Sequence, residues 1–403
     1  MTYMFGNVEI NERSERWDVT INHAYDNKVR PLCLCRKPGV PMYIAKIAGR
    51  YYIKRMPNTG AHHNPACESF EPPPELSGLG EVMGVAIKEN VDSGITTLKL
   101  DFSLTKRGGR NAPTPSAGET AKVVEGDAKK LTLRGVLHYL IEQAGFNRWH
   151  PGMIGKRNWS VFRRYMLDAA NNKETKGMQL SDVLYMPESW SSDRKEEIES
   201  RRRALFSKIA AETNPRKLLI AVGEFKHFDD ARYGVKLVLK HMPDTIFLVD
   251  ESLHKKIKTS FQNELDFPQM FNNSHLLAIF TFGVRESGIA DVQEITFINL
   301  TEHWLPFENA NEKILIDKMV EARRSFVKGL RYNLGQSKVL ASMTASDTNP
   351  ATAMYIIHKF DATMDAELHH LIANSDLSSW VWNFVESPTV PALPSFAHER
   401  LKN

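Results

Sequence analysis

Cysteine is scarce in this chain, with three among 403 residues. That excludes a disulfide-knitted scaffold and makes a reducing cytoplasm the expected compartment. Long apolar runs are missing too. A transmembrane helix needs about 18 consecutive apolar residues, and no stretch supplies them, so no membrane partner is expected. The first thirty residues are polar and charged, as in Asn11-Glu12-Arg13-Ser14-Glu15-Arg16, and hold no signal-peptide core. An excess of one charge is also lacking. Lys and Arg number 52 against 48 Asp and Glu, a formal +4, so whole-chain charge does not call for a nucleic-acid partner. No G-x-x-x-x-G-K-[ST], H-E-x-x-H or G-x-S-x-G pattern is present. What is present, 42% apolar residues, excludes disorder for most of the chain.

The length suggests two to three domains. Pattern and composition divide the chain into 1–105, a Gly, Pro, Ser and Thr-rich flexible linker at 106–128, a basic helical segment at 129–215, a β-rich domain at 216–305, and an α/β domain with a tail at 306–403. The expected fold class is α+β and multidomain. In the first unit Trp17-Asp18-Val19-Thr20-Ile21 alternates like a strand. Residues 42–47 and 51–55, joined through Gly49, read as a β-hairpin. Strands are expected at 81–88 and 96–104. Leu133, Val136, Leu137 and Leu140, then Trp159, Phe162 and Met166, mark two helices, and 192–211 a third. From Arg216 strands are expected at 218–222, 235–239, 246–249, 275–284 and 292–300, with a helix at 251–264. The last domain should run helix 311–332, strands 339–344 and 353–358, helix 361–374 and strand 380–385.

All three cysteines fall within 35 residues: Cys33, Cys35 and Cys67, with His62 and His63 just before the last. Thiolates two residues apart on a strand share a face, so Cys33 and Cys35 can bind one ion. The hairpin then returns the chain, and turn formers at Thr59-Gly60 and Asn64-Pro65 bring a histidine and Cys67 to the same place. Three sulfurs and one imidazole make a tetrahedral zinc site, closed and structural, without a coordination position for a catalytic water. His63 is the favoured fourth ligand and His62 the alternative. The competing reading is three small buried hydrophobes beside two surface histidines.

Charge is local. Between Lys129 and Lys217 there are 18 Lys or Arg against 10 Asp or Glu, a local +8 that leaves −4 for the rest. Cations interleave with aromatics at Arg148-Trp149-His150, Lys156-Arg157-Asn158-Trp159 and Arg163-Arg164-Tyr165. Such a surface holds phosphates and stacks bases, and Arg157, Arg163 and Arg164 are its candidate DNA or RNA contacts. Arg201-Arg202-Arg203 fits equally a solvated, ion-paired helix face with Glu197 and Glu199. Trp159 reads as core.

The expected order after Glu308 is that of a PD-(D/E)xK nuclease core, in which helix and strand carboxylates hold a magnesium ion. Glu308 or Glu312 suits the helix position. The strand at 339–344 has no aspartate, the strand at 354–359 has no glutamate, and Asp347 sits in a turn. A nuclease-like domain here is therefore expected to be degenerate. Arg323, Arg324, Lys328 and Arg331 are candidates for holding a nucleic-acid backbone without cutting it.

Several stretches together, Leu32-Cys33-Leu34-Cys35, Gly49-Arg50-Tyr51-Tyr52-Ile53-Lys54-Arg55, His62-His63-Asn64-Pro65-Ala66-Cys67, Arg232-Tyr233-Gly234 and Phe326-Val327-Lys328-Gly329-Leu330-Arg331-Tyr332-Asn333, resemble an uncharacterised bacterial three-cysteine family (domain of unknown function 1173). That family is met on plasmids and integrative conjugative elements. The resemblance implies a bacterial cytoplasmic protein associated with a mobile element and supplies no reaction. The expectation is a non-enzymatic, zinc-stabilised accessory protein that binds nucleic acid or a nucleoprotein complex. Protein partners of a mobile-element complex are equally open, with Tyr51 and Tyr52 as interface candidates. A divergent metal-dependent nuclease and a structural subunit of a larger assembly are the alternatives.

Overall fold

The computed structural model describes residues 1–47, 49–106, 129–210, 216–359 and 361–397. The linker expected at 106–128 lies outside the described residues except for Lys106, which pairs with Arg216 in a short antiparallel ribbon.

The N-terminal unit is a five-stranded sheet in the order Val8–Asn11, Thr2–Phe5, Leu32–Cys33, Val40–Ile47, Arg50–Arg55. Its last two strands are the expected hairpin, with Ile47 opposite Arg50. The strand expected at Trp17 is a helix instead, Trp17–Asp26. Ile21 and Ala24 are its buried residues, while Val19, which a strand would place beside Ile21, is 73% exposed. The helical period wins because Trp17 then packs on the rings of Tyr3 and Phe5, at 5.7 and 6.0 Å. The strand expected at 81–88 is also corrected. The chain makes a helical turn, Leu79–Val82, and then the strand Ile87–Glu89. Gly84, at φ +78°, breaks the run between them.

In the central segment the helices Leu133–Gln143, Trp159–Ala170 and Lys195–Ala210 form where expected. The first two start on side-chain caps: Thr132 accepts from the Gly135 amide and Asn158 from the Val161 amide. One core runs from Leu79 to Tyr332, so these helices pack on the strands that follow.

Those strands close on themselves. Leu219–Asp230 pairs through its second half with Val235–Leu239, which pairs with Phe247–Val249. Phe247–Val249 runs parallel to Ala290–Leu300, whose antiparallel partner His275–Val284 returns to the first half of Leu219–Asp230. The order is first, second, third, fifth, fourth, and back to the first: a five-stranded barrel. The helices Glu251–Ser260 and Gln262–Met270 are inserted between the third and fourth strands. Leu219–Asp230 serves two neighbours because its register shifts between Phe225 and His227, which bends it. Phe247, Phe280 and Phe282 pack on one another at 5.0 and 5.2 Å, and Ile220 and Val222, on the opposite face of the sheet, are equally without exposed surface.

After the barrel, the helix expected at 311–332 stops early, at Ala310–Glu321. Arg323, at φ +56°, turns the chain, and Phe326–Lys328 is a strand. That strand, Met343–Ala345 and Thr352–Ile357 form an antiparallel meander. The helix Ala362–Ala373 then leads to Ser378–Asn383, parallel to Thr352–Ile357. Arg148–Trp149 from the central segment adds a fifth strand beside Phe326–Lys328. The expected nuclease core is not confirmed here, since Glu312 is buried against Lys328 and Asp347 against Arg324. Among the described residues no helix is long and apolar enough to cross a membrane.

Candidate metal centre

Cys33 ends a strand pinned between Tyr3 and Val40, and Cys35 follows in the turn leading to the hairpin. The hairpin reverses the chain, and the single turn Gly60–His62 delivers His63 and then Cys67. The ligand atoms of Cys33, Cys35, His63 and Cys67 all lie within 4.8 Å of one another. Cys33 Sγ is 3.8 Å from Cys67 Sγ, and His63 Nδ1 is 3.3 Å from Cys35 Sγ and 3.8 Å from Cys67 Sγ. Zinc–sulfur bonds of about 2.3 Å place the sulfurs of a tetrahedral site about 3.8 Å apart, so these edges fit one zinc ion.

The surroundings agree. Backbone amides of Asn64 and Ser69 donate to Cys35 Sγ and Cys67 Sγ, each at 3.4 Å, which favours thiolates. Burial, reinforced by the Arg55 charge, holds the His63 imidazole down at about 4, so it is neutral and able to ligate. Burial pushes the Cys33 thiol up to about 12, with Cys67 adding to it. In the metal-free cluster that sulfur therefore keeps its proton, and binding must displace it. His63 is fully buried, whereas His62 is exposed and outside the cluster, which decides between the two histidines. All four positions are protein ligands, so zinc would bind as a structural ion, holding both ends of the hairpin.

A family model described as "Protein of unknown function (DUF1173)" matches residues 3–385. The chain belongs to that family. No curated protein and no solved structure matches it.

The structure separates the cationic candidates of this family member. Arg157 is turned inward, donating to the carbonyls of Gly145, Phe146, Arg148 and His303. Arg324 is 2% exposed and grips Asp347 through two bonds, at 2.9 and 2.7 Å. Lys328, equally buried, meets Glu312 at 3.0 Å. Arg331 caps the carbonyls of Gly335 and Lys338. These four are corrected to internal braces, because their cationic groups are turned into the fold and bonded there, and the one donor left over, Arg331 Nε, is buried away from any ligand. Arg163 donates to the Met186 carbonyl and is half-buried. Arg164 and Arg323 are exposed. Arg201 pairs with Glu188 and Glu197, the solvated-face arrangement, and Trp159 is core. Tyr52 is exposed, but Tyr51 is half-buried against Tyr25, at 4.9 Å.

Sequence reading missed the ion pairs that tie the metal module to the body. Glu71 takes Arg55 of the hairpin at 2.5 Å and Arg148 at 3.5 Å. It also missed Arg36, an exposed cation directly after Cys35. Adjacency to a ligand was the only signal for Arg36, and there was none for a pair 77 residues apart.

Proposed function

We propose that this protein is a non-enzymatic, zinc-stabilised accessory protein that binds nucleic acid. The observation that carries this reading is the barrel. A five-stranded Greek-key barrel with this closure, and helices inserted after the third strand, has the architecture of the oligonucleotide- and oligosaccharide-binding fold. Such barrels bind their ligands on the face of the second and third strands, flanked by the loops after the first and fourth. Here those loops are Ala231-Arg232-Tyr233-Gly234 and Arg285-Glu286-Ser287-Gly288-Ile289. Tyr233 is 68% exposed with the Arg232 guanidinium over its ring at 5.4 Å, a cation beside a stacking platform. Lys236 and Ile246, 41% exposed for the latter, continue the face towards the second loop. Asp291 neutralises Arg285, so the stacking side of the face carries more of the contact than its charge.

The test is a gel shift of the full chain with labelled single-stranded and duplex DNA and RNA at low and high salt. Salt-sensitive binding that falls at least tenfold in Arg232→Glu/Tyr233→Ala is the expected result. No binding to any of these probes at low salt refutes the reading. The nuclease alternative draws on the helix, meander, helix and parallel strand after Ala310. Against it stand the two ion-paired carboxylates. Cleavage in Mn2+ or Mg2+ that disappears in Glu312→Ala would favour it.

A further inference from the structure

A cleft of about 1530 Å³ separates the metal module from the C-terminal sheet. One wall is the segment Asn64 to Glu68, which follows His63 and includes Cys67, together with Arg36. The other is built by Arg323, Ser325 and Ser378 to Trp380. Sites for single small molecules measure roughly 300–1,000 Å³, so this space suits a segment of a polymer.

The lining is selective. Arg36 and Arg323 are exposed, face the cleft from opposite walls, and have no ion-pair partner among the described residues. Asp347, the carboxylate on the sheet side, is already neutralised by Arg324, which leaves Glu68 as the free acid of the lining. Trp149 lines the space while 2% exposed, and its indole N–H is buried without a hydrogen-bond partner. Trp380, half-buried, and Phe396, 37% exposed, contribute ring surface. Ser378 and Ser379 are exposed hydroxyl donors. Guanidiniums, hydroxyls and rings lining one cleft are the means by which proteins hold a single nucleic-acid strand: phosphates on the cations, bases on the rings.

We propose that this cleft is a second binding site, for a short single-stranded stretch of nucleic acid, with Arg36 and Arg323 on its phosphates and Trp380 under a base. The proposal rests on the nucleic-acid reading above but places the strand at a site remote in sequence from the barrel loops. An acidic peptide added along the sheet edge at Ser378–Asn383 is the competing occupant.

The experiment measures anisotropy of labelled oligothymidylate and of a duplex of equal length with the full zinc-loaded chain, over a salt series. Arg36→Gln/Arg323→Asn is compared with Trp380→Ala and with the barrel variant. Asparagine suits position 323 because its backbone is left-handed. Zinc content and circular dichroism confirm that each variant is folded, and Arg323→Asn alone, away from the metal, serves if the double variant is not. Each cation removed should lower the salt slope for the single strand by about 0.7. The double variant should bind at least tenfold more weakly, and Trp380→Ala about fivefold or more. If the cleft variants bind like wild type while the barrel variant loses binding, the cleft site is refuted and the nucleic-acid reading stands. If wild type binds neither probe, both fail. Preference for duplex over single strand, or capture of acidic peptides that the cleft variants abolish, also overturns the proposal.

Discussion

Removing one zinc ligand should unfold the N-terminal module and spare the barrel. The core beneath the hairpin is small: Tyr3, Phe5, Ile10, Ala24, Val40 and Met42, with Cys33 itself as the seventh buried member. Burying such side chains contributes about 1.5–3 kcal/mol for the larger ones, which the ordering of more than fifty residues, at about 1.5 kcal/mol each, consumes. A structural zinc ion in a small module is worth about 10–16 kcal/mol in apparent binding free energy, as much as the whole stability of an ordinary domain. Cys67→Ala leaves two sulfurs, of Cys33 and Cys35, and an imidazole whose Nδ1 has lost a sulfur neighbour at 3.8 Å. It should release the metal and most of that stabilisation. The assay is metal content by elemental analysis, with hydrogen exchange over residues 1–70 and over the barrel strands. Wild type should hold one zinc per chain and protect the hairpin amides. Cys67→Ala and His63→Ala should hold none and exchange the hairpin freely, while His62→Ala matches wild type. A purified, reduced wild-type chain that holds no zinc would refute the argument. So would a stripped chain that protects its hairpin as well as before.

Three further outcomes follow from the rest of the fold. Lys328 and Glu312 form an ion pair with both side chains about 1–2% exposed; Lys328→Met alone should cost about 3–5 kcal/mol in denaturant unfolding, and Lys328→Met/Glu312→Leu much less, because the single variant strands a buried charge. Gly234 has φ +94°, and a Cβ there would sit 2.0 Å from the Val249 carbonyl oxygen, so Gly234→Ala should destabilise the barrel by about 2–4 kcal/mol, read as a lowered melting temperature. Two buried groups should also give opposing contributions to stability on the two sides of neutral pH. Burial raises the Glu142 carboxyl from 4.5 to about 7, so between those values the folded state holds the extra proton and stability falls as pH rises. Burial lowers the Lys173 ammonium from 10.5 to about 7, so above 7 the unfolded state holds the extra proton and stability rises again. Glu142→Gln should remove the acid limb and Lys173→Met the alkaline one in urea titrations at each pH.

Much of the metal site was legible in the residues themselves. Three sulfurs and a histidine pair, spaced around a hairpin, are chemistry that local geometry brings together, and the barrel strands announced themselves as apolar β-branched runs. The helices at Leu133, Trp159 and Lys195 were equally plain, because period and caps are local properties. Alternation failed at Trp17 because five residues fit both periods and packing on Tyr3 and Phe5 made the choice. The helix ending at Glu321 ran long on paper because Arg323 in a left-handed conformation is invisible in composition.

Only the tertiary structure decided how the pieces close. Barrel closure depends on Leu219–Asp230 bending to pair with strands on two sides, a fact about register that no window of residues contains. The same holds for charge. Arg157, Arg324, Lys328 and Arg331 look like ligand contacts in one dimension, and in three they are braces, while Arg36 and Arg323, 287 positions apart, meet across one cleft. Residue type sets what a side chain can do. Burial and the identity of its neighbours set whether its donors are already spent, and those come from contacts between segments distant along the chain.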